Sequence, residues 1–307
     1  MKTKYRNKIV IMVIILLVSI LVINWYIQDK KTILSEPFIK LYLHNQETVV
    51  GINLEEYIKG TVAAEMPSSF DIEALKAQAV CARTYAIKKM MTNPTYPEGA
   101  DLSDDINSCQ AFVSLQNFAP ENPAREDLLK RINEAVDSTR GEIILYDSQP
   151  IDALYCSTCG GRTESSEAVW GGKIPYLSSV KCEDCEESVH YQDETTISNE
   201  VIKNVVNDKG KSLQIKILSR TPGGRPKKIS INKHEIDSII LRKALNLPSN
   251  WMEFQSSASS TVIHTHGYGH GVGLCQYGAN GMAQRGKDYH QILEKYYQGI
   301  SFYKLTY

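Results

Sequence analysis

The order of apolar and polar residues between positions 54 and 91 predicts two helices separated by a sharp turn. Ile58, Val62 and Glu65 recur at helical spacing after Leu54, so the glutamate continues the apolar stripe of the first helix. Pro67 disfavours helical geometry at the residue before it and should end this helix. We therefore expect Glu65 at a helix C-terminus, on the buried side.

The second helix is predicted to begin at a cap provided by Ser69 or Asp71. Small and apolar side chains recur along it and form one face. They are Leu75, Ala79, Ala82 and Ala86.

Glu65 has two interpretations. The negative end of the helix dipole and an apolar setting both disfavour the ionised carboxylate, and a carboxyl that stays protonated near neutral pH can act as a general acid. Alternatively, Glu65 forms a structural ion pair, for example with Arg83 on the second helix. Spacing alone does not separate the two.

The same patterns predict the other elements of an α+β domain. A hairpin is expected over residues 38–52, and the polar segment 92–123 is long enough to suggest a functional loop or a loop that covers a site. Further elements are expected as a helix at 125–139, strands at 142–146 and 151–155, and a final helix at 289–298 that Asp288 and Gln291 open as a capping box.

Residues 189–253 differ in pattern and are interpreted as an inserted α/β subdomain. We expect a helix at 199–207, strands at 213–219 and 228–232, and a second helix at 235–245. Few candidate catalytic groups converge in this block, so an accessory role is predicted.

The N-terminus contains an almost wholly apolar run at residues 9–27, which is long enough to span a bilayer as a helix. Basic residues precede it and Trp25 and Tyr26 follow it, which predicts a cytoplasmic tail at 1–8 and an extracytoplasmic remainder. A linker at 28–36 would then lead to the catalytic domain at 37–307. A cleaved signal peptide is the competing interpretation, and no small-residue cleavage site follows the run.

Composition narrows the possible functions only slightly. The chain has 307 residues, of which 42% are hydrophobic, and a formal net charge of -1. This length allows a sizeable core, and the near-neutral charge gives no support for a nucleic-acid partner.

Four of the seven cysteines form two C-x-x-C pairs, Cys156 with Cys159 and Cys182 with Cys185. Two such pairs are typical of a tetrahedral four-cysteine zinc site, which would be structural because four thiolates leave no open position on the metal. A pair of disulfides is the alternative that an extracytoplasmic compartment permits. The remaining cysteines are Cys81, Cys109 and Cys275.

A glycine-rich segment at residues 264–279 can bring its backbone close to a ligand. Its spacing does not fit a dinucleotide-binding motif. Three histidines within seven residues could indicate a metal site. The preferred interpretation is that His270, Gln276 and Tyr277 line a polar groove.

Taken together, these segments resemble the stage II sporulation protein D family, the peptidoglycan lytic transglycosylases of spore-forming bacteria. The resemblance extends over nearly all of the chain beyond the linker. Its motifs are AAEMPSSFDIEALKAQAVCARTYA (63–86), STCGGRTESSEAVWGG (157–172), PYLSSV (175–180) and GYGHGVGLCQYGANGMAQRGKDYHQILEKYYQG (267–299). The chain departs from the usual pattern at Cys81, where alanine is common, and at Cys156, where an aromatic residue or histidine often lies.

The resemblance implies a membrane-anchored enzyme that acts on glycan strands in the septal space between mother cell and forespore. It implies that Glu65 is the catalytic acid, that Arg83 contributes to substrate binding, and that Ser157, Thr158, His270 and Gln276 lie near the active site. It also implies glycan strands stripped of stem peptides as substrate, and an amidase and a multispanning membrane protein as partners.

The expected reaction cleaves the MurNAc–GlcNAc bond without water and forms a 1,6-anhydro product, with Glu65 as acid and then base. Two other functions remain open at this point. Some relatives are described as non-catalytic activators of an amidase. A zinc peptidase or amidase would need an open metal site, against which four cysteine ligands argue.

Overall fold

The computed structural model describes residues 35–92 and 96–307. The predicted membrane anchor at 9–27 lies outside these ranges. Within them, no helix is long and apolar enough to cross a membrane.

The first described strands form the predicted hairpin. Strand β1 (Phe38–Leu43) pairs antiparallel with β2 (Thr48–Asn53), and the short strand β3 (Leu102–Ser103) adds in parallel beside β1. Alternation along β1 turns Ile39 and Leu41 into the core, where both are fully buried.

The predicted helix pair follows directly. Helix α1 (Leu54–Glu65) ends where Met66 leaves helical geometry before the proline, and α2 (Ile72–Met91) begins after the turn. Of the two candidate caps, Asp71 is the one used, because its carboxylate accepts a 2.9 Å hydrogen bond from the Glu73 amide. Glu65 is therefore the last residue of α1, as predicted.

Arg83 on α2, predicted to contribute to substrate binding, lies in the protein interior. Its side chain is fully buried, and its Nε and Nη2 atoms donate to the two carboxylate oxygens of Glu55 at 2.9 and 2.7 Å. Nη1 donates to the Glu142 carbonyl at 3.1 Å. The ion pair considered for Arg83 exists, but its partner is Glu55 on α1 and not Glu65.

We expect Arg83→Ala to lower the free energy of unfolding by about 3–5 kcal/mol, because it leaves the buried Glu55 carboxylate without its cation. Urea unfolding of the purified protein measures this loss. A matched double variant, Arg83→Met with Glu55→Leu, should cost less than Arg83→Ala. Unchanged unfolding of Arg83→Ala would contradict the structural role.

The remaining helices and strands complete an α+β arrangement. The helices are α3 (Arg125–Ser138), α4 (Ser166–Trp170), α5 (Asn199–Val205), α6 (Ser238–Ala244), α7 (Gln276–Gln284) and α8 (Tyr289–Tyr296). The strands are β4 (Glu142–Tyr146), β5 (Gln149–Pro150), β6 (Tyr155–Cys156), β7 (Gln192–Ser198), β8 (Ile215–Arg220), β9 (Pro226–Ile231), β10 (His234–Asp237), β11 (Met252–Ser256), β12 (Ser260–His266), β13 (Leu274–Cys275) and β14 (Ser301–Lys304).

Two predicted elements differ from the observed ones. The single strand expected at 151–155 is replaced by β5, which pairs with β4, and β6, which pairs in parallel with β13. The helix expected to start at 235 starts at Ser238, because β10 first pairs antiparallel with β9. In both cases a strand pairing decides the conformation, and the partner is distant in sequence only for β6 with β13.

The block predicted as an accessory subdomain has a hydrophobic core of its own. Strands β8, β9 and β10 form one sheet, and β7, β11 and β12 form another. Their buried side chains meet in one cluster, which also takes in Ile263 of β12, beyond the predicted boundary at 253. Residues Pro37–Lys304 nevertheless pack as one unit.

Candidate active site

A cleft of about 700 Å³ contains Glu65. It is lined by residues from the end of α1, the segment after β3, strand β6, helix α4 and the glycine-rich segment. Among its described lining residues Glu65 is the one carboxyl group, and there is no lysine or arginine. Residues 106–110, which belong to the loop predicted at 92–123, form one wall of the cleft.

The Glu65 carboxyl is held by the backbone of that loop. The Ala111 amide donates a 2.6 Å hydrogen bond to Glu65 Oε1. Burial raises the pKa of Glu65 above its usual value, and this effect exceeds the lowering by the hydrogen bond from the Ala111 amide and by the nearby Tyr155 hydroxyl. A partly buried carboxyl with a raised pKa is suited to proton transfer.

Gln276 connects the glycine-rich segment to the end of α1. It is buried, and its Nε2 donates to the Glu65 carbonyl oxygen at 3.0 Å and to Gln78 Oε1 at 3.2 Å. The carbonyls at a helix C-terminus have no partner within the helix, so this contact satisfies one of them and fixes the backbone of Glu65. Gln276 also lines the cleft, as its motif predicted.

Tyr155 and Gln110 belong to the site although the sequence analysis did not single them out. The Tyr155 hydroxyl donates to Gln110 Oε1 at 2.9 Å, and Gln110 Nε2 donates to the Tyr57 hydroxyl at 3.2 Å. Burial and the nearby Glu65 carboxyl raise the pKa of Tyr155, so it remains a neutral hydrogen-bond donor. The length of the loop was the signal that could have directed attention to Gln110.

His270 lines the cleft as a neutral side chain. Its Nδ1 accepts a 3.0 Å hydrogen bond from the Val272 amide. Burial, with smaller contributions from the Arg242 and Arg225 cations, lowers the pKa of His270 to about 4. It therefore adds hydrogen-bonding capacity to the wall but no charge at neutral pH.

Three further predicted residues lie at different depths. Ser157 lines the cleft, whereas Thr158 is turned inward, where its hydroxyl hydrogen-bonds with Ser188 Oγ at 2.6 Å and is fully buried. Tyr277 packs edge-on against Phe70 at 4.9 Å and is not among the residues that line the cleft. Thr158 and Tyr277 thus support the walls and do not face the cavity.

The thiol cluster differs by one member from the set predicted by the C-x-x-C spacing. The Sγ atoms of Cys159, Cys182, Cys185 and Cys275 all lie within 4.8 Å of one another, and all four residues are buried. Cys156, predicted as a ligand, lies outside this group and lines the cleft. The parallel pairing of β6 with β13 sets Cys275 beside Cys156, and of these two residues it is Cys275 whose Sγ lies among the other thiols.

The cluster has the spacing and the hydrogen-bond donors of a thiolate metal site. Cys159 Sγ and Cys185 Sγ are 3.8 Å apart, and a tetrahedral zinc with 2.3 Å bonds would separate its sulfurs by roughly 3.8 Å. Cys275 caps α7 and accepts hydrogen bonds from the Gly278 and Cys159 amides, each at 3.3 Å. Such donors stabilise a thiolate, so the four cysteines could hold a metal ion.

All seven cysteines lie in the described part of the chain, and each of them is a free thiol there. The Sγ atoms of Cys159 and Cys185 are too far apart to be bonded to each other, and none of the four cysteines takes part in the pair of disulfides that was the alternative to a metal.

The amino-acid sequence is similar to that of known proteins. The sequence profile of a family described as stage II sporulation protein matches residues 42–146. Stage II sporulation protein D of Bacillus subtilis (strain 168) is 38% identical over 275 residues, covering 88% of this chain and 80% of the relative. The protein of that name from Bacillus amyloliquefaciens is 37% identical over 270 residues, covering 87% and 78%.

A fourth comparison concerns a longer protein. The amidase enhancer of Bacillus subtilis (strain 168) is 29% identical over 300 residues, covering 80% of this chain and 40% of that relative. The two relatives named for sporulation exceed this identity and span most of both chains. On this evidence the chain belongs to the stage II sporulation protein D family.

Proposed function

We propose that the chain is a lytic transglycosylase that cleaves peptidoglycan glycan strands during sporulation. The observation that carries this proposal is the single, partly buried carboxyl of Glu65, with its raised pKa, in a cleft whose other described lining residues are uncharged. One group that can be acid and then base is sufficient for a cleavage that uses no water.

In the proposed reaction, protonated Glu65 donates its proton to the glycosidic oxygen as the bond from that oxygen to MurNAc C1 breaks. The MurNAc C6 hydroxyl oxygen then bonds to C1 and closes the 1,6-anhydro ring. The hydroxyl proton returns to the Glu65 carboxylate, so the enzyme ends in its starting state. The Ala111 amide would orient the carboxyl for both transfers.

This assignment explains why the cleft has one carboxyl group among its described lining residues. Glycosidases that use water flank the scissile bond with two carboxyl groups.

We further propose that Cys159, Cys182, Cys185 and Cys275 hold one structural Zn²⁺. The ion would supply a cross-link between the segment after β6, the segment around residues 182–185 and the start of α7. Its effect on catalysis would be indirect, because Cys275 immediately precedes Gln276, whose side chain holds the Glu65 backbone.

The proposed activity is tested by incubating the purified protein with denuded glycan strands and analysing the products by mass spectrometry. We expect fragments ending in 1,6-anhydro-MurNAc, which lack one water relative to hydrolysis products. Products with reducing MurNAc ends would indicate a hydrolase and would contradict the mechanism.

The pH dependence provides a second measurement. Since protonated Glu65 starts the reaction, kcat/KM should fall as the pH rises through its raised pKa. Tyr155→Phe removes a nearby hydroxyl that lowers this pKa, so the fall should move to higher pH. His270→Gln is the control, because a group with a pKa of about 4 is already neutral there and should leave the position of the fall unchanged. An unmoved fall in Tyr155→Phe would contradict this role of the tyrosine.

The similarity to an amidase enhancer favours one other candidate function, a peptidoglycan-binding activator without catalysis of its own. Under that hypothesis Glu65→Gln would keep its effect on a partner amidase. Extracytoplasmic location on an anchor at 9–27, and the amidase and multispanning membrane partners, stay predictions that belong to either function.

A further inference from the structure

We infer that Trp170 and Tyr268 are the surfaces on which sugar rings of the glycan stack at the entrance of the cleft. Both side chains line the cleft that contains Glu65. Both are also large aromatic residues that remain about half exposed, at 54% for Trp170 and 46% for Tyr268. This inference rests on the proposed function and specifies how that site binds its substrate.

The Trp170 side chain contacts a neighbouring ring and still remains about half exposed. It is the last residue of α4, and the helix ends at Gly171, which adopts a left-handed conformation with φ of 80°. The indole ring packs against the His270 imidazole, with 5.3 Å between ring centroids. The histidine is itself held by the Val272 amide, so the indole packs against a fixed side chain that also lines the cleft.

Tyr268 is fixed through its backbone. Its amide donates to the Thr158 carbonyl at 2.8 Å, and its carbonyl accepts from the Thr158 amide at 3.3 Å. Glycines at 267 and 269 flank it with φ of 85° and 104°. A side chain at 267 would lie 2.5 Å from the Thr158 carbonyl oxygen, so the close approach of these two segments requires glycine. The Tyr268 ring also packs against His190 at 4.5 Å.

This arrangement is suited to a sugar. Exposed aromatic side chains that share a concave site usually mark a binding surface. Tryptophan and tyrosine lose little conformational entropy when they bind, and here they are already oriented. A pyranose ring presents a flat face of C–H groups to an aromatic ring while its hydroxyls point sideways to polar groups. The uncharged polar side chains of Ser157 and Asn107 on the same cleft can accept and donate those hydrogen bonds.

Binding is separated from turnover by measuring it in the full-length Glu65→Gln variant with denuded glycan oligosaccharides of defined length. We expect Trp170→Ala and Tyr268→Ala each to raise the Kd for the glycan roughly tenfold, which is the effect of one lost ring-stacking contact. Trp170→Phe and Tyr268→Phe should retain most of the affinity. Tyr303→Ala is a matched control, because Tyr303 is also 54% exposed but is not among the residues that line the cleft.

Intrinsic fluorescence gives a readout that a general loss of stability would not reproduce. Glycan binding should change the emission of the Glu65→Gln variant, and Trp170→Phe should remove most of that change while binding, measured by calorimetry, persists. If Trp170→Ala and Tyr268→Ala bind glycan as tightly as Tyr303→Ala does, the stacking role is wrong, whether or not 1,6-anhydro products form. If the glycan binds through these rings but the unaltered protein forms no such products, the proposed chemistry fails and the binding inference stands.

Discussion

Replacing Glu65 by glutamine is expected to reduce formation of 1,6-anhydro products by roughly 10²–10⁴-fold, the usual contribution of a positioned acid or base. Glutamine keeps the size of the side chain and its acceptor oxygen, so the hydrogen bond from the Ala111 amide can persist. It cannot donate and recover a proton. The rate of product release from denuded glycan strands, measured by mass analysis, provides the test.

The control for this variant is Glu56→Gln. Glu56 belongs to the same helix but is exposed, whereas Glu65 lies in the cleft. The Glu56→Gln variant makes the same change of charge outside the cleft, so its turnover should match that of the unaltered protein. Undiminished turnover of Glu65→Gln would remove the glutamate from the mechanism. A loss of turnover is attributed to chemistry only if the thermal unfolding of Glu65→Gln matches that of the unaltered protein.

The sequence predicted the helix pair because local rules decide it. The apolar stripe, the proline at 67 and the cap at Asp71 act within a few residues of one another, and the structure has α1 and α2 with these ends. The pairing of β6 with β13 was not predictable in this way, since the two strands are separated by more than a hundred residues. Interactions of that range have no periodic signature.

The site residues show the same division. Gln276 lines the cleft as its motif indicates, but the motif arginine, Arg83, is fully buried in a pair with Glu55. A charged residue that recurs in a motif can be required for folding as well as for binding, and only burial separates the two. Tyr155 and Gln110 were missed because their role depends on a loop that returns to Glu65, which no spacing records.

For the thiol cluster, the C-x-x-C spacing in the sequence was nearly sufficient to predict which cysteines converge. Three of the four predicted cysteines converge, and the fourth position is taken by Cys275 instead of Cys156. The C-x-x-C rule assumes that both members of a pair face one metal. Here Cys156 lies in a strand and lines the cleft. One C-x-x-C pair therefore contributes Cys159 to the thiol cluster and Cys156 to the wall of the cleft.

Exchange of Cys275 for serine is accordingly expected to empty the metal site, whereas Cys156→Ser should leave it intact. The reason is that a site reduced to three thiolates binds zinc far more weakly, and the binding free energy of a structural zinc is folding free energy. We expect about one zinc per chain in the unaltered protein and in Cys156→Ser. Cys275→Ser should contain little zinc and lose more than about 4 kcal/mol of stability, as measured by elemental analysis and thermal unfolding.

The consequence for activity follows from the chain of contacts that begins at the metal site. Cys275 caps α7, the next residue donates from its side chain to the Glu65 carbonyl, and Glu65 is the proposed acid. A loosened α7 should therefore lower kcat together with stability, even though no thiol of the cluster contacts substrate in the proposed mechanism. If Cys275→Ser does not fold, removal of zinc from the unaltered protein with a strong chelator tests the same step. Full activity and stability after complete loss of zinc would show that packing alone positions Gln276, and loss of zinc in Cys156→Ser but not in Cys275→Ser would restore the ligand set that the spacing predicted.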